Sequence, residues 1–212
     1  EGTPSEQYTI TTKRGKAIII AQSKQAENWG AATLKQLTDK DGYVPEVEIV
    51  DYPAFPIRGF MHDTGRNFRD VELLKRDIDL MSAYKLNVFH WHLTDNPAWR
   101  IECHAYPQLN DAKYHVKGRD EGKFYTYDQI RELIAYAKQR GVMIIPEIDM
   151  PCHSQYFNRT FGCGMAYATE IIQRILGYRA YEISDMKADM TGLGIGTFIS
   201  SLFIIFSIGK HK

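Results

Sequence analysis

Three predicted strands of this chain each end in a carboxylate, and the three acids are Asp63, Asp95 and Asp149. Basic, acidic and aromatic side chains lie on or just beyond the same strands: Arg58, Arg66, Trp91, His92, Trp99, Arg100, Glu147 and His153. Carboxylates and arginine bind hydroxyl groups, aromatic rings cover the apolar face of a sugar, and a carboxylate pair performs acid–base chemistry on a glycosidic bond. These residue types therefore predict a carbohydrate site.

The elements that must position these residues alternate between strand and helix after Pro56. We predict a strand at Ile57–Met61, a helix at Asp70–Tyr84, a strand at Leu86–Leu93, a helix from the capping box Thr126–Gln129 to Gly141, and a strand at Val142–Ile148. This repetition predicts a parallel sheet with right-handed crossovers. No Gly-x-Gly-x-x-Gly follows the first strand, so we favour a (β/α)8 TIM barrel, in which the carboxyl ends of the strands form the active site.

A small α/β domain is predicted before the barrel, at residues 1–53. It comprises strands at Tyr8–Thr12 and Ala17–Ala21, a helix at Ala26–Leu37 and a strand at Val44–Val50. The barrel segment, 54–165, contains about three βα units, whereas a full barrel needs about 250 residues. We therefore expect the α/β class, with a partial TIM barrel.

The candidate residues also have structural interpretations. Aspartate is common at strand ends as an N-cap or turn former. His90 and His92 alternate along one strand and are expected to point into the barrel as hydrogen-bonded core histidines, with Trp91 packed on the opposite face under a helix. The only adjacent Asp–Glu pair, Asp120-Glu121, lies in a polar loop and is interpreted as solvated surface.

A metal site is a further alternative. His90-x-His92, with Asp63, Asp149 and His153, has residue types that bind Zn²⁺ in metal-dependent hydrolases. Further histidines at later strand ends would be needed, and the sequence does not offer them there. We therefore expect neither a metal nor another cofactor.

Composition excludes other classes of function. The 212 residues include 26 basic and 26 acidic side chains, so the net charge of zero argues against nucleic acid as a partner. Cys103, Cys152 and Cys163 have no metal-ligand spacing and form no disulfide framework, although one bridge with a leftover thiol stays open.

The segment 166–212 departs from the alternating pattern, and its stretch 190–209 carries no charge. That stretch is near the ~20 residues that cross a bilayer. We favour translation from a wrong reading frame as the explanation. A membrane anchor and a buried segment that needs a partner are the alternatives.

Together these motifs resemble glycoside hydrolase family 20, the β-N-acetylhexosaminidases, over residues 5 to about 165. The resemblance is carried by Arg58–Arg66, by His90–Glu102, by Tyr125-Thr126 with Tyr136-Ala137 and Arg140-Gly141, and by Ile145–Ser154. It implies removal of terminal, non-reducing β-linked N-acetylhexosamine from a glycan, with the substrate's 2-acetamido oxygen as nucleophile. It also implies a periplasmic or secreted location, although no leader follows Glu1.

The resemblance assigns roles to four residues of this chain. Arg58 would hydrogen-bond the sugar hydroxyls, because its planar fork suits a vicinal diol. Asp95, Asp149 and His153 match positions near the catalytic acid, where they would orient that acid and raise its pKa.

Departures from the family pattern limit what this chain is expected to do. The family's Asp–Glu pair, usually in His-x-Gly-x-Asp-Glu, is absent, as are the later Trp and Tyr residues of the acetamido pocket. Cys152 stands where the family usually has a glycine, and a side chain there could disturb a tight turn. We expect the chain alone to be catalytically silent. The alternative is a non-catalytic sugar-binding or membrane-tethered remnant that uses Arg58, Asp95 and Trp99.

Overall fold

The computed structural model describes residues 5–149 and 152–162, which form two compact units. The described residues of the first unit come from 1–60, 70–89 and 131–144, and those of the second come from 61–69, 90–130 and the segment after 144. Cys163, the segment 166–212 and its stretch 190–209 lie outside the described residues. Within the described ranges, no helix combines the length and the apolar character that crossing a bilayer requires.

The N-terminal part of the first unit is a three-stranded antiparallel sheet with one helix. Its elements are β1 (Tyr8–Lys13), β2 (Lys16–Ala21), α1 (Lys24–Leu37) and β3 (Glu48–Asp51), in the strand order β2-β1-β3. Arg14 and Gly15 have φ of 50° and 71°, as a two-residue hairpin turn requires. Tyr8, Ile10, Ala26 and Trp29 form the core. The predicted hairpin and helix are confirmed.

The third strand starts later than predicted, at Glu48 rather than Val44. Pro45 has no N–H to donate to a neighbouring strand. The hydroxyl of Thr12 replaces backbone strand pairing at this point. It donates to Pro45 O over 2.5 Å and accepts from Val47 N over 2.8 Å. The predicted strand is therefore wrong over its first four residues.

The rest of the described chain alternates between strands and helices. Its elements are β4 (Gly59–Asp63), α2 (Val71–Ala83), β5 (Val88–Asp95), β6 (Ala98–Trp99), two short 3-10 helices (Pro107–Asn110 and Ala112–Tyr114), α3 (Tyr127–Gln139), β7 (Met143–Ile148) and α4 (Gln155–Phe161). Strand β5 pairs with β4, with β7 and, in antiparallel orientation, with β6. Strands β4, β5 and β7 belong to successive parallel βα units, which confirms the α/β class.

Strands β4 and β5 both begin and end two residues later than the predicted strands. The reason is Asn87, whose side-chain oxygen accepts from Arg58 N over 2.8 Å, while Asn87 N donates to Arg58 O over 2.9 Å. The side chain of Asn87 therefore replaces regular backbone hydrogen bonding between the strands before Gly59. Asp63 and Asp95 are the last residues of their strands.

Local signals define the two long helices of this region. Asp70 caps α2 by accepting from Leu73 N over 2.9 Å, and α2 buries Leu74, Ile78 and Met81. Thr126 and Gln129 cap α3 reciprocally, with side-chain-to-backbone distances of 3.2 and 2.9 Å. Gly141, with φ of 73°, follows the end of that helix. The predicted capping box and C-terminal glycine are confirmed.

The second unit has its own aromatic core. It consists of Trp99, Cys103, Leu109, Ile148, Tyr156 and Phe157. Trp99 is 1% exposed and packs against the rings of Tyr156 and Phe157, with centroids 5.8 and 5.9 Å away. Trp99 therefore cannot stack on a sugar, and its predicted place in a sugar site is wrong. The physical reason is the turn between β5 and β6, which folds Trp99 back beside Thr94.

Buried Arg100 holds the loop that contains Asp120-Glu121. Its guanidinium donates to the carbonyl oxygens of Arg119, Asp120 and Lys123 over 2.7 to 2.9 Å. The side chain of Asp120 pairs with Lys123 over 2.7 Å. Glu121 is exposed, as predicted, and accepts from Gly118 N over 2.6 Å.

Candidate active site

Asp95 is the centre of the site. It is the last residue of β5, and it is 1% exposed. Its Oδ2 lies 2.8 Å from Arg66 Nη2, 3.0 Å from His92 Nε2 and 3.2 Å from His153 Nδ1, and its Oδ1 accepts from Asn96 N over 2.5 Å. This carboxylate is buried, but three nitrogen-bearing side chains surround it.

Arg66 joins the ends of β4 and β5. Its Nη1 lies 2.6 Å from Asp63 Oδ2, and its backbone N donates to Asp63 Oδ1 over 2.9 Å. Although both carboxylate partners are largely buried, the Arg66 side chain is 44% exposed. The guanidinium is thus held by two carboxylates, while the side chain stays open to a solute.

Gly65 allows the β4 turn to approach β5 closely. A Cβ atom at this position would lie 2.9 Å from both Asp95 Cβ and Asp95 N. The backbone N–H groups of Thr64 and Gly65 donate to His92 O over 3.0 and 3.1 Å. The absence of a side chain therefore places Arg66 within reach of Asp95.

His90 and His92 lie on the same face of β5, as predicted, and share Glu147 of β7. Glu147 Oε2 is 2.7 Å from His90 Nε2 and 2.8 Å from His92 Nδ1. Burial by itself lowers the pKa of His92, but hydrogen bonds to Glu147 and Asp95 and the charge of Asp63 raise the pKa above its ordinary value. Trp91 lies on the opposite face, where it donates to Thr64 Oγ1 over 3.0 Å and contacts the Tyr125 ring.

His153 lies beyond β7 and reaches three other members of the site. Its Nδ1 is 3.1 Å from Arg66 Nη2 and 3.2 Å from Asp95 Oδ2, and its Nε2 is 3.8 Å from Asp149 Oδ2. The nitrogen Nδ1 accepts from the arginine when unprotonated and donates to the aspartate when protonated. Asp149, 5% exposed, follows β7, and its N–H donates to Thr94 Oγ1 over 3.3 Å.

The predicted convergence of the three strand-end acids is confirmed. We name the group the strand-end cluster: Asp63, Arg66, His92, Asp95, Glu147, Asp149 and His153. All seven residues belong to the second unit. The strained backbone of the cluster is at His153, whose φ is 54°, and not at exposed Cys152. Cys152 therefore does not need the freedom of a glycine.

Arg58 belongs to the first unit, and its guanidinium is engaged there. It donates to Glu6 over 2.7 Å, to Phe55 O over 2.8 Å and to Lys85 O over 2.7 Å, and it lies over the Trp29 ring. These contacts give Arg58 an anchoring role and argue against its predicted contact with sugar hydroxyls. The arginine among the acids is Arg66, which follows its strand, whereas Arg58 precedes it. A residue after the strand lies at its carboxyl end, the end that forms the site in a barrel.

Asp63, His92 and Asp95 have ligand atoms within 4.8 Å of one another, which is close enough to hold a metal ion. The guanidinium of Arg66 already bridges the two aspartates, and both nitrogens of His92 contact carboxylates. A metal ion would have to displace the arginine. The contacts of these side chains therefore favour a site that works through hydrogen bonds and ion pairs.

Comparison with known proteins defines the family. Residues 55–193 match the family model described as "Glycosyl hydrolase family 20, catalytic domain", and residues 1–52 match "Glycosyl hydrolase family 20, domain 2". The chain belongs to glycosyl hydrolase family 20. Its βα units match the start of the TIM barrel of that family.

Relatives with known names agree with this assignment. The chain is 41% identical over 163 residues to a beta-hexosaminidase of Vibrio furnissii, an alignment that covers 70% of this chain and 27% of that protein. It is 44% identical over 157 residues to beta-hexosaminidase 1 of Coccidioides posadasii, covering 70% and 25%. The chain thus spans about a quarter of the length of these relatives.

Solved structures show the same fold. A β-N-acetylhexosaminidase of Bacteroides fragilis superposes with a TM-score of 0.75 at 30% identity, covering 82% of this chain and 40% of that one. An exo β-N-acetylglucosaminidase of Vibrio harveyi, solved with N-acetylglucosamine, gives a TM-score of 0.68 at 37% identity, covering 74% and 27%.

Proposed function

We propose that this chain carries the sugar-binding part of a β-N-acetylhexosaminidase. The whole protein would remove terminal, non-reducing β-linked N-acetylhexosamine from glycans by substrate-assisted, retaining hydrolysis. The single observation that carries the proposal is Arg66, a half-exposed guanidinium anchored on two carboxylates at the ends of adjacent strands. Relatives solved with N-acetylglucosamine support the substrate class.

Arg66 is the direct sugar ligand in this proposal. Its two aspartate partners fix the plane of the guanidinium and leave further N–H groups to donate. A planar fork matches two neighbouring hydroxyl oxygens of a sugar ring. Because Asp63 and Asp95 hold it before the sugar arrives, little side-chain entropy remains to be lost on binding.

The acids and His153 position the reacting groups. Asp95 holds both Arg66 and His153, and His153 in turn reaches Asp149. A histidine between two carboxylates can exchange a proton with a neighbouring acid and keep that acid oriented. Asp95, Asp149 and His153 thus keep the supporting role that the family resemblance implied, and Arg66 takes the role assigned there to Arg58.

Proton donation to the leaving oxygen needs a group outside the strand-end cluster. The one adjacent Asp–Glu pair of the sequence, Asp120-Glu121, lies in a surface loop, and both of its side chains are engaged with that loop. We therefore propose that the 212-residue chain binds the sugar and does not hydrolyse its glycosides.

An assay of binding and turnover tests this proposal. The pure chain is titrated with N-acetylglucosamine and then incubated with a chromogenic β-N-acetylglucosaminide. Saturable binding without release of the chromophore supports the proposal. Hydrolysis at a rate above a buffer control contradicts the assignment of catalytic silence, and absence of binding contradicts the sugar site.

A non-catalytic sugar-binding protein is the second candidate, favoured by the missing acid pair. Intact mass of the protein from its natural source separates the two proposals. A mass above 24.4 kDa favours the complete enzyme, whereas a mass of 24.4 kDa favours the binding protein.

Location in the periplasm or outside the cell is also a proposal and follows from the glycan substrate. Fractionation of the natural source tests it.

A further inference from the structure

His92 occupies an unusual position between two acids. The residue is 5% exposed, its Nδ1 lies 2.8 Å from Glu147 Oε2, and its Nε2 lies 3.0 Å from Asp95 Oδ2. A neutral imidazole has one N–H and one lone pair. In the neutral ring, one of the two carboxylates would face that lone pair at hydrogen-bond distance. Both contacts are hydrogen bonds only when the ring carries two protons.

The partners of the two acids support this assignment of the proton. Asp95 Oδ2 also accepts from Arg66, and its Oδ1 accepts from Asn96 N, so Asp95 is an acceptor at both oxygens. Glu147 Oε2 faces His90 Nε2 as well as His92. Each acid is thus arranged to receive hydrogen bonds, and the proton belongs on His92.

The charges around His92 point the same way. Among the residues that the structure describes, the ionisable groups that act on His92 or share an acid with it are Asp63, Arg66, His90, Asp95, Glu147 and His153. Among these, three carboxylates stand against one permanent cation, the guanidinium of Arg66, which is half exposed and partly screened by water. A second cation inside the site balances the buried acids more effectively, because attraction is stronger away from water.

We propose that His92 is a resident imidazolium and a positioning residue, clamped between Glu147 and Asp95 so that Asp95 stays ionised and aimed at Arg66 and His153. The charge state of the ring follows from the geometry alone. The consequence for sugar binding rests on the proposed function, because His92 acts through Asp95 and does not contact the sugar.

Nitrogen NMR of the histidine rings tests the charge state directly. The full chain is labelled with 15N in its histidines, and through-bond correlations assign each ring. We expect both His92 nitrogens to show the protonated shift from about pH 6 to about pH 8, where an ordinary histidine loses its charge. Free 15N-labelled histidine in the same buffers is the reference for an ordinary ring. A His92 ring that loses its charge over the same pH range as free histidine, or that shows one unprotonated nitrogen throughout, overturns the proposal.

The pH profile of N-acetylglucosamine binding tests the positioning role. In His92→Gln a neutral side chain replaces the cation, so Asp95 loses an ion-pair partner that favours its charged form. We expect affinity to fall at least about 10-fold at pH 5, with the midpoint of the loss moved to higher pH, while His104→Gln matches the parent. An unchanged profile in a folded His92→Gln variant overturns the positioning role.

The two measurements separate the inference from the proposed function. Should His92→Gln fail to fold, the ring spectrum of the parent chain still decides the charge state. A doubly protonated ring in a chain that does not bind the sugar refutes the proposed function and leaves the charge assignment intact. A titrating ring in a chain that binds the sugar refutes the charge assignment alone.

Discussion

Arg66 and Asp95 form an ion pair of 2.8 Å in which the carboxylate side chain is 1% exposed and the guanidinium side chain is 44% exposed. The buried member cannot contact a solute, but it determines where the exposed member points. Asp63 adds a second anchor to the same guanidinium. Asp95 therefore positions the guanidinium, and Arg66 is the member of the pair that is available for binding.

The close approach of Gly65 to β5 predicts a steric effect on this ion pair. In Gly65→Ala the new Cβ would meet Asp95 Cβ and N at 2.9 Å, so the turn must move away from β5. We expect the free energy of unfolding to fall by about 1–3 kcal/mol, as for other overpacked sites. Urea denaturation measures this change.

Gly59→Ala is the matched control, because Gly59 is the first residue of β4, the strand before Gly65, and its added Cβ would lie 3.5 Å from Val88 O, an ordinary contact. It should leave stability within about 0.5 kcal/mol of the parent or raise it slightly. Equal destabilisation by both substitutions would contradict the close approach as the cause.

Arg58 is predicted to stabilise the first unit without taking part in sugar binding. Lysine at this position cannot reproduce the three directions in which the guanidinium donates to Glu6, Phe55 O and Lys85 O. We expect Arg58→Lys to lower the free energy of unfolding by about 2 kcal/mol and to leave N-acetylglucosamine affinity unchanged. Loss of affinity with unchanged stability would return Arg58 to the role that the family resemblance assigned.

His115 predicts a specific acid sensitivity. Burial lowers the pKa of this histidine; its hydrogen bond to Leu109 O opposes the shift, and the charges of Arg100 and Arg159 reinforce it. The unfolded chain, with an ordinary histidine pKa near 6.5, therefore takes up a proton before the folded chain does. Stability should fall as the pH drops below about 6.5.

Urea unfolding of His115→Gln between about pH 7 and about pH 5 isolates this contribution. The variant should lose less stability over that range than the parent. His104→Gln is the control for replacing an exposed histidine away from this contact. An equal loss in the parent and in His115→Gln would mean that other groups cause the acid sensitivity.

Elements with local signals were predictable from sequence, and features set by distant contacts were not. The capping box at Thr126 and the end of α3 near Gly141 depend on neighbouring residues, so pattern alone located them. The starts of β3 and β4 depend on the side chains of Thr12 and Asn87, which bond to distant backbone groups. Strand periodicity does not contain that information.

In the candidate site, too, some features could be predicted from the sequence and others depend on tertiary contacts. Convergence of Asp63, Asp95 and Asp149 follows from the rule that parallel strands end at one face of a barrel. Selecting Arg66 over Arg58 required knowing which guanidinium lies among the strand-end acids and stays exposed, which is a tertiary property. Trp99 is buried because β6 folds back on β5, a turn that a count of aromatic residues does not detect.

The central claim is that the strand-end cluster binds the sugar. Calorimetric titration of the pure chain and of Arg66→Lys with N-acetylglucosamine tests it most directly. The matched control is Arg76→Lys, an exposed arginine of α2. We predict saturable binding by the parent and by Arg76→Lys, and at least about 10-fold weaker binding by Arg66→Lys, equal to about 1.4 kcal/mol. Binding that is equally strong in all three proteins, or absent from the parent, would contradict the assignment of the strand-end cluster as the sugar site.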